Sequence, residues 1–295
     1  MFPTERREAG QLRLAIQKEG RLTEDTLALL RAIGLEFESF GRRLFSNCRN
    51  FPLALLHTRH DDIPEYVAAG TVDLGIVGRN LLREEQVTVE ELLPLGFGYC
   101  SLVVAVPKES PISSVEQLAG AKVATSYPHS AQQFFQDRQI PVEIITISGS
   151  VEVAPLLGLS GAIVDLTATG SSLVLNDLRP LHAILESEAV LAANPQALAD
   201  PARLVTINRL LLRIKGVLAA RRYRYVMMNA PRAALDEIKR IVPGLKMPTV
   251  VPLADPEWVA VHSAISEDVF WEAIEALRAA GASEILVSPI EKLVM

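Results

Sequence analysis

The stretch that decides the fold reads Ala162-Ile163-Val164-Asp165-Leu166-Thr167-Ala168-Thr169-Gly170-Ser171-Ser172. Its apolar beginning predicts a buried strand that ends at the carboxylate of Asp165. Small and hydroxylated residues follow, and an amphipathic stretch from Ser172 to Leu178 predicts a helix. A strand, a short turn and the start of a helix direct several backbone N–H groups towards one point, where a phosphate monoester can bind.

A second carboxylate, Glu152, lies in the segment Gly149–Pro155 at the end of the preceding predicted strand. Together with Asp165 it could hold the hydroxyl groups of a sugar or a metal ion. Short phosphate-loop patterns also occur in ordinary strand-to-helix turns, where Thr and Ser only cap the helix. The local sequence leaves both interpretations open.

Short β-rich runs alternate with helical patterns over the first two thirds of the chain, which is typical of an α/β fold. We expect two lobes, the first made of residues 1–100 and 183–219 and the second of residues 101–182. Two lobes joined by paired crossovers leave a cleft between them, and such clefts are favoured ligand sites. The last third, residues 220–295, has the order βαββαβ, which predicts a ferredoxin-like domain.

The composition is that of a globular protein, since 49% of the 295 residues are hydrophobic and 22% are charged. A formal net charge of −6 argues against general nucleic-acid binding, which needs a basic surface. Cys48 and Cys100 are too few for a disulfide framework or a zinc site and are expected to be reduced. The first ten residues are polar and no apolar run approaches the ~20 residues that span a bilayer, so we expect a soluble, cytoplasmic protein.

Several segments spread over the chain carry a family resemblance. They are Leu14–Leu22, Asp61–Pro64, Val72–Asn80, Ala124–His129, Gly149–Leu173 and Gly281–Lys292. In this order they closely resemble the ATP phosphoribosyltransferase family, whose reaction opens histidine biosynthesis, and the resemblance extends from about Gln11 to Lys292. It implies a two-lobed, periplasmic-binding-protein-like catalytic core followed by the ACT-like regulatory domain of the long form of the family.

The resemblance also implies a reaction and its ligands. The enzyme would transfer the 5-phosphoribosyl group of phosphoribosyl pyrophosphate (PRPP) to N1 of the adenine ring of ATP, with release of pyrophosphate and a requirement for Mg²⁺. Histidine would act as a feedback inhibitor, and AMP is a further candidate ligand. A homo-oligomer, from a dimer to a hexamer, is implied as well.

The resemblance assigns the ribose 5-phosphate to the turn after the buried strand. The turn residues are Thr167, Ala168, Thr169, Gly170, Ser171 and Ser172. Members of the family often carry Ser and Thr where this chain has Ala168 and Ser172. Ser172 keeps a hydroxyl, and backbone N–H groups would provide most of the anchoring, so we expect this departure to matter little.

The remaining active-site assignments are charged residues and one glycine. The predicted catalytic residues are Asp165, Glu152 and Lys18, of which Glu152 and Asp165 are also the candidate Mg²⁺ contacts, mostly through substrate phosphates. The predicted ATP-binding residues are Lys18, Gly20, Arg21, Arg59, Asp73 and Arg79. An ordinary surface position for Arg59 or Arg79, and an internal capping role for Asp73, are the alternatives.

In the C-terminal domain the resemblance places a regulatory histidine site on strand and turn residues. They are Asn229, Leu245, Met247, Thr249, Val287 and Ser288. An ordinary structural role is the alternative for each of them. Two other functions compete with the transferase: a two-lobed solute-binding protein, which would carry a signal peptide, and a catalytically silent regulatory subunit, which would lack Asp165 or the Thr169-Gly170 turn.

Overall fold

The computed structural model describes residues 10–37, 44–245 and 247–294, and it divides into two compact units. The first unit runs to Ile207, apart from residues 32–34, and the second contains those three residues and continues from Asn208. Among the described helices, none combines the length and the apolar character that crossing a membrane requires.

The first unit alternates strands and helices, as the sequence predicts. Its strands are β1 (Leu12–Gln17), β2 (Phe45–Asn47), β3 (Leu53–Thr58), β4 (Leu74–Gly78), β5 (Glu90–Pro94), β6 (Cys100–Pro107), β7 (Lys122–Thr125), β8 (Glu143–Thr146), β9 (Ala162–Thr167), β10 (Leu178–Ser187) and β11 (Ala189–Ala193). Its helices are α1 (Thr23–Ala32), α2 (Ile63–Ala68), α3 (Arg79–Glu85), α4 (Pro128–Asp137), α5 (Ser171–Leu175) and α6 (Pro195–Ala199), and α7 (Pro201–Ala220) continues into the second unit.

The strands of the first unit form two sheets, one for each predicted lobe. The first sheet has the order β2-β3-β1-β4-β11-β5, and the second has the order β10-β6-β9-β7-β8. Phe134 and Phe135 of α4 pack on one face of the second sheet. Val151 and Leu173 flank β9 in the sequence and form one buried hydrophobic cluster with Val103 and Ile163. This packing places the segment around Glu152 and helix α5 against the same layer of the second lobe.

The return from the second lobe to the first occurs later than predicted. Strand β10 pairs with β6 from Leu178 to Ser187, so the expected boundary at residue 183 falls inside one strand of the second sheet. β-Bulges between Pro180 and His182 and between Ala183 and Leu185 let this strand continue, and the apolar pattern does not reveal them. The chain rejoins the first sheet with β11, which pairs with β4 and β5.

The second unit confirms the predicted βαββαβ order. Its elements are β12 (Tyr223–Pro231), α8 (Leu235–Ile241), β13 (Thr249–Pro252), β14 (Trp258–Ser266), α9 (Phe270–Ala279) and β15 (Ser283–Pro289). The strands pair in an antiparallel sheet of order β13-β14-β12-β15, which is the ferredoxin-like arrangement. Val226 and Met228 of β12 face a core that includes Ile238 and Leu277 from the two helices. The predicted fold class, a two-lobed α/β core with a ferredoxin-like domain, is confirmed.

Candidate active site

A cavity of about 270 Å³ lies between the two lobes of the first unit. Its lining residues are Gln17, Arg21, Leu22, His60, Tyr127, Leu166 and Ala168. The cavity therefore brings the loop after β1 together with the turn after β9, as predicted for two substrates that meet in one cleft. A larger groove of about 540 Å³ follows α4 and β8, and its lining contains none of the predicted site residues.

The turn between β9 and α5 has the predicted shape of a phosphate-binding loop. Gly170 adopts a φ of 78°, and its N–H donates to Oγ1 of Thr167 at 2.8 Å. The hydroxyl groups of Thr169 and Ser171 lie 2.7 Å apart. The backbone N–H groups of Ala168, Thr169, Ser171 and Ser172 have no acceptor within the described parts of the chain, so they are available to a ligand.

Helix α5 is shorter than the sequence suggests. It starts at Ser171 and ends at Leu175, whereas the amphipathic pattern extends to Leu178. The side chain of Asn176 donates to the carbonyl of Ser172 at 2.9 Å, and Asp177 adopts a φ of 50°, which ends the helix. Individual N–H groups of the turn, rather than a long helix dipole, would therefore carry the anchoring of a phosphate.

The two predicted carboxylates lie beside this turn. Asp165 is half-buried in β9, opposite Val103 of β6, and its Oδ1 accepts the N–H of Leu166 at 2.8 Å. Burial raises the pKa of Asp165 to about 6, against the effect of the Leu166 N–H, and the negative charge of Glu152 raises it further. Glu152 lies in the short 3₁₀ turn Val151–Val153. The structure thus brings the two carboxylates together.

The loop after β1 presents cations on the opposite lobe. Its shape depends on Gly20, which has a φ of 139°, because a Cβ there would lie 2.1 Å from Nε2 of Gln17. Oε1 of Gln17 accepts the N–H of Leu22 at 3.0 Å and so holds the loop closed. Lys18 is exposed, and its N–H donates to the carbonyl of Thr58 at 2.8 Å. Nη2 of Arg21 lies 3.2 Å from Sγ of Cys100.

The other predicted ATP contacts have different surroundings. Arg59 follows β3 and is exposed, next to the cavity residue His60. Arg79 donates to both carboxylate oxygens of Glu91, at 2.9 Å and 2.6 Å, and its Nη1 lies 3.5 Å from Glu188. The ion pair with Glu91 raises the pKa of Arg79 and holds its guanidinium group in place. This group is already paired with two carboxylates, and the ATP contact of Arg79 stays a prediction.

Asp73 has an internal structural role, which was the alternative to its predicted contact with ATP. Its side chain is 1% exposed, Oδ2 accepts the N–H of Arg13 at 2.7 Å, and Oδ1 lies 3.1 Å from Nη1 of Arg203. An ATP molecule cannot reach a carboxylate that is sealed in this way. The predicted contact between Asp73 and ATP is therefore corrected to an internal ion pair.

Five of the seven residues that line the cavity were not predicted as site residues, and two of these five, His60 and Tyr127, have ionisable side chains. Burial is the main cause that lowers the pKa of His60. The Nδ1 atom of this side chain has no hydrogen-bond partner in the part of the chain that the structure describes. Tyr127 follows β7, and burial together with the charge of Asp165 raises its pKa far above the usual range. Both residues follow strands whose carboxyl ends face the cleft, and this position was the available sequence signal.

Comparison with known sequences decides the family. The sequence profile described as ATP phosphoribosyltransferase matches residues 59–216, more than half of the chain. The chain belongs to the ATP phosphoribosyltransferase family. A second profile, described as HisG, C-terminal domain, matches residues 220–292, which form the ferredoxin-like domain. The family that the sequence segments indicated is confirmed, and the chain is an enzyme of the transferase class.

Individual relatives agree with this assignment. The chain is 44% identical over 283 residues to an ATP phosphoribosyltransferase of Cytophaga hutchinsonii, and the match covers 96% of this chain and 98% of that protein. It is 42% identical over 284 residues to that of Parabacteroides distasonis, with 96% and 100% covered. Among solved structures, the ATP phosphoribosyl transferase (HisG:HisZ) complex from Thermotoga maritima aligns with a TM-score of 0.61 and 28% identity, over 69% of this chain and 96% of that one.

For a member of this family, the fit of the site to Mg²⁺ rests on the two carboxylates. The described residues contain no group of three or more His, Cys, Asp or Glu side chains that could hold a metal ion. Mg²⁺ is commonly bound by one or two carboxylates together with substrate phosphates and waters. Asp165 and Glu152, which lie within electrostatic range of each other beside the phosphate turn, fit that mode of binding.

The predicted regulatory residues lie on both edges of the C-terminal sheet. Leu245 and Met247 are 44% and 74% exposed before β13, and Thr249 begins that edge strand. Val287 and Ser288 lie on β15, the opposite edge. Asn229, on the neighbouring strand β12, donates from its side chain to Glu284. With strands spaced about 4.8 Å, the two edges are about 14 Å apart, so one free amino acid cannot bridge them within a single sheet.

Proposed function

We propose that this chain transfers the 5-phosphoribosyl group of PRPP to N1 of the adenine ring of ATP, releasing pyrophosphate, as the first step of histidine biosynthesis. The observation that carries the proposal is the cavity between the lobes, because its lining joins Leu166 and Ala168, at the phosphate turn, to Arg21 of the cationic loop. The family membership supplies the identity of the two substrates.

The phosphate turn is the proposed site of the ribose 5-phosphate. The unbonded N–H groups of this turn can donate to phosphate oxygens; they belong to Ala168, Thr169, Ser171 and Ser172. The hydroxyls of Thr169 and Ser171 can reorient from each other to the ligand. Ala168 provides only its backbone there, and Thr167 is occupied in holding Gly170. The anchoring therefore relies on the backbone.

The carboxylate of Asp165 is proposed to accept hydrogen bonds from ribose hydroxyl groups and to stabilise positive charge on the sugar carbon as pyrophosphate departs. With a pKa of about 6 it is ionised at neutral pH, and no cation of the described residues neutralises it through an ion pair. Glu152 would share this task. When Mg²⁺ is bound, it would neutralise phosphate charge, with these two carboxylates as its protein contacts.

The cationic loop is proposed to receive the phosphates of the two substrates. Lys18 and Arg21 lie on either side of Gly20, and Arg59 follows the neighbouring strand β3. The hydrogen bond from the Lys18 N–H to Thr58 brings the ends of β1 and β3 together, so these cations share one edge of the first lobe. The adenine nitrogen attacks directly, and therefore no nucleophile from the protein is required; positioning and charge stabilisation suffice.

The C-terminal domain is proposed to bind histidine and inhibit the enzyme in an oligomer. The sheet exposes Tyr225, Val251 and Leu286 at 39%, 42% and 60% on the face away from its helices, which is consistent with association. A histidine site that uses both Thr249 and Ser288 would have to be completed by a second copy of the chain. Inhibition would then require the assembled enzyme.

The experiment that tests the reaction combines the purified full-length protein with ATP, PRPP and Mg²⁺ and follows the ribosylated nucleotide by mass spectrometry. Asp165→Asn is expected to lower turnover by about 100-fold or more, as expected when a charge-stabilising group is lost. The matched control is Asp177→Asn, an exposed aspartate just after α5. Absence of product with the wild-type protein would contradict the proposal and favour the silent regulatory subunit, and full activity of Asp165→Asn would remove that residue from the site.

The regulatory proposal is tested by titrating histidine against the same reaction. Thr249→Arg and Ser288→Arg, which alter opposite edges of the sheet, are each expected to weaken inhibition while leaving uninhibited turnover unchanged. Size-exclusion chromatography with light scattering reports the oligomer in each case. Inhibition that is unchanged in both variants would contradict the placement of the histidine site.

A further inference from the structure

We infer that Tyr127 is a further substrate-binding residue, whose hydroxyl donates a hydrogen bond to the phosphoribosyl donor PRPP. The inference rests on the proposed function and adds a residue that is not among the predicted site residues. Tyr127 lines the cavity together with Leu166 and Ala168 of the phosphate turn and with Arg21 of the opposite loop.

The hydroxyl group of Tyr127 is the polar end of this side chain, and the protein leaves it unused. The ring is half-buried and packs against the core of the second lobe. The hydroxyl makes no hydrogen bond within the described residues, and it is not among their sealed polar atoms. A half-buried tyrosine hydroxyl normally finds a partner, so a ligand is the natural partner for this one.

The charges around the ring indicate which substrate it meets. After burial, the carboxylate of Asp165 is the strongest influence that raises the pKa of Tyr127; Asp61 and Cys100 act in the same direction, and Arg21 opposes them. The phenol therefore keeps its proton at neutral pH, so its hydroxyl is available as a hydrogen-bond donor. Tyr127 shares the cavity lining with Leu166 and Ala168, which lie at the turn proposed for the ribose 5-phosphate, and PRPP is therefore the substrate that we expect it to meet.

The backbone around Tyr127 is fixed on both sides. Its own N–H donates to Oγ1 of the fully buried Thr125 at 2.8 Å. Helix α4 begins at the next residue, and its first N–H groups, those of His129 and Ser130, donate to the carboxylate of Glu84 at 2.8 Å and 2.9 Å. Glu84 is 4% exposed and belongs to α3 of the first lobe. The ring is thus held in place before substrate binds, which is what a positioned donor requires.

The test compares Tyr127→Phe with Tyr66→Phe in the full-length protein. Tyr66 is a half-buried tyrosine of α2 that does not line the cavity, so its variant controls for the loss of a hydroxyl elsewhere. Tyr127→Phe is expected to lower kcat/KM for PRPP about tenfold, which corresponds to about 1.4 kcal/mol. The kcat/KM for PRPP of Tyr66→Phe is expected to equal the wild-type value. The KM for ATP is expected to be unchanged in both variants.

Calorimetric titration of PRPP into each protein gives a second readout that does not need turnover, and thermal unfolding confirms that the variants are folded. Tyr127→Phe should bind PRPP about tenfold more weakly than the wild type. Equal affinity and equal kcat/KM, or a loss confined to ATP, would overturn the inference while leaving the proposed reaction in place. A wild-type protein that neither binds PRPP nor forms product would overturn both.

Discussion

Asp73 and Asp165 are two aspartates next to buried strands of the same unit, and the sequence predicted a substrate contact for both. Asp73 directly precedes β4, at its amino end, whereas Asp165 lies near the carboxyl end of β9. In α/β sheets, ligands bind beyond the carboxyl ends of strands. The position of each carboxylate along its strand therefore separates Asp73, which has a structural role, from Asp165, for which we propose a functional one.

The charged groups around the two side chains support the same distinction between Asp73 and Asp165. Asp73 is 1% exposed and is neutralised by Arg203, so its charge is stabilised by the fold. Asp165 is half-buried beside another carboxylate, and its pKa of about 6 shows that the fold disfavours its charge. When the fold does not stabilise the charge of a carboxylate, a bound ligand that stabilises this charge is the best explanation for its presence.

The largest expected effect is on stability at the structural site. Asp73→Asn should lower the free energy of unfolding by about 3 kcal/mol, because it removes the buried charge that pairs with the half-buried Arg203. This is the low end of the range for a buried ion pair, since Arg203 keeps a second contact with Asp200 at 3.3 Å. Urea denaturation measures the change. A loss below 1 kcal/mol would mean that the pair is not a stabilising element.

A smaller effect on stability, of opposite sign, is expected at Asp165 in the proposed active site. The folded-state pKa of Asp165, about 6, is above the ordinary 3.8, so the stability that its proton contributes is present below pH 4 and is lost as the pH rises through 6. Asp165→Asn removes the cost of burying the ionised carboxylate and should stabilise the protein by about 1–2 kcal/mol at pH 8. The full shift corresponds to about 3 kcal/mol, which contact with solvent reduces.

The pH dependence provides the check for this variant. Thermal unfolding of wild type and Asp165→Asn at pH 8 and pH 4 should show the stability difference at the higher pH only. A difference that is independent of pH would point to repacking instead of charge burial.

The smallest expected effect concerns the contact between the lobes. Glu84→Gln should lower the free energy of unfolding by about 1 kcal/mol, because an amide cannot accept both N–H groups at the start of α4. The exposed neighbour Glu85→Gln is the control. Chemical denaturation compares the two, and equal stability of both variants would contradict the capping role of Glu84.

Features that depend on local sequence were predictable. The phosphate turn, the loop around Gly20 and the βαββαβ order of the last domain each follow from apolar runs, glycines and capping residues within a short segment. The composition of the turn also identified Asp165 as a candidate. In these cases the residues that decide the structure are neighbours in the chain.

Features that depend on distant partners were not predictable. Arg203, which makes Asp73 structural, is 130 positions away, and Glu84 is 45 positions from the helix start that it caps. The bulges in β10, which moved the boundary between the lobes, leave no mark in the apolar pattern. Tyr127 was not predicted as a site residue, because its place in the cavity depends on Arg21 of the loop after β1, which is distant in the sequence.

The most direct test of the difference between the two aspartates measures turnover and stability together for Asp165→Asn and Asp73→Asn at pH 8. We predict that Asp165→Asn is at least as stable as the wild type and nearly inactive, whereas Asp73→Asn is less stable but retains wild-type turnover per folded molecule. An active Asp165→Asn, or an Asp73→Asn that is stable and inactive, would contradict the assignment of function to one carboxylate and structure to the other.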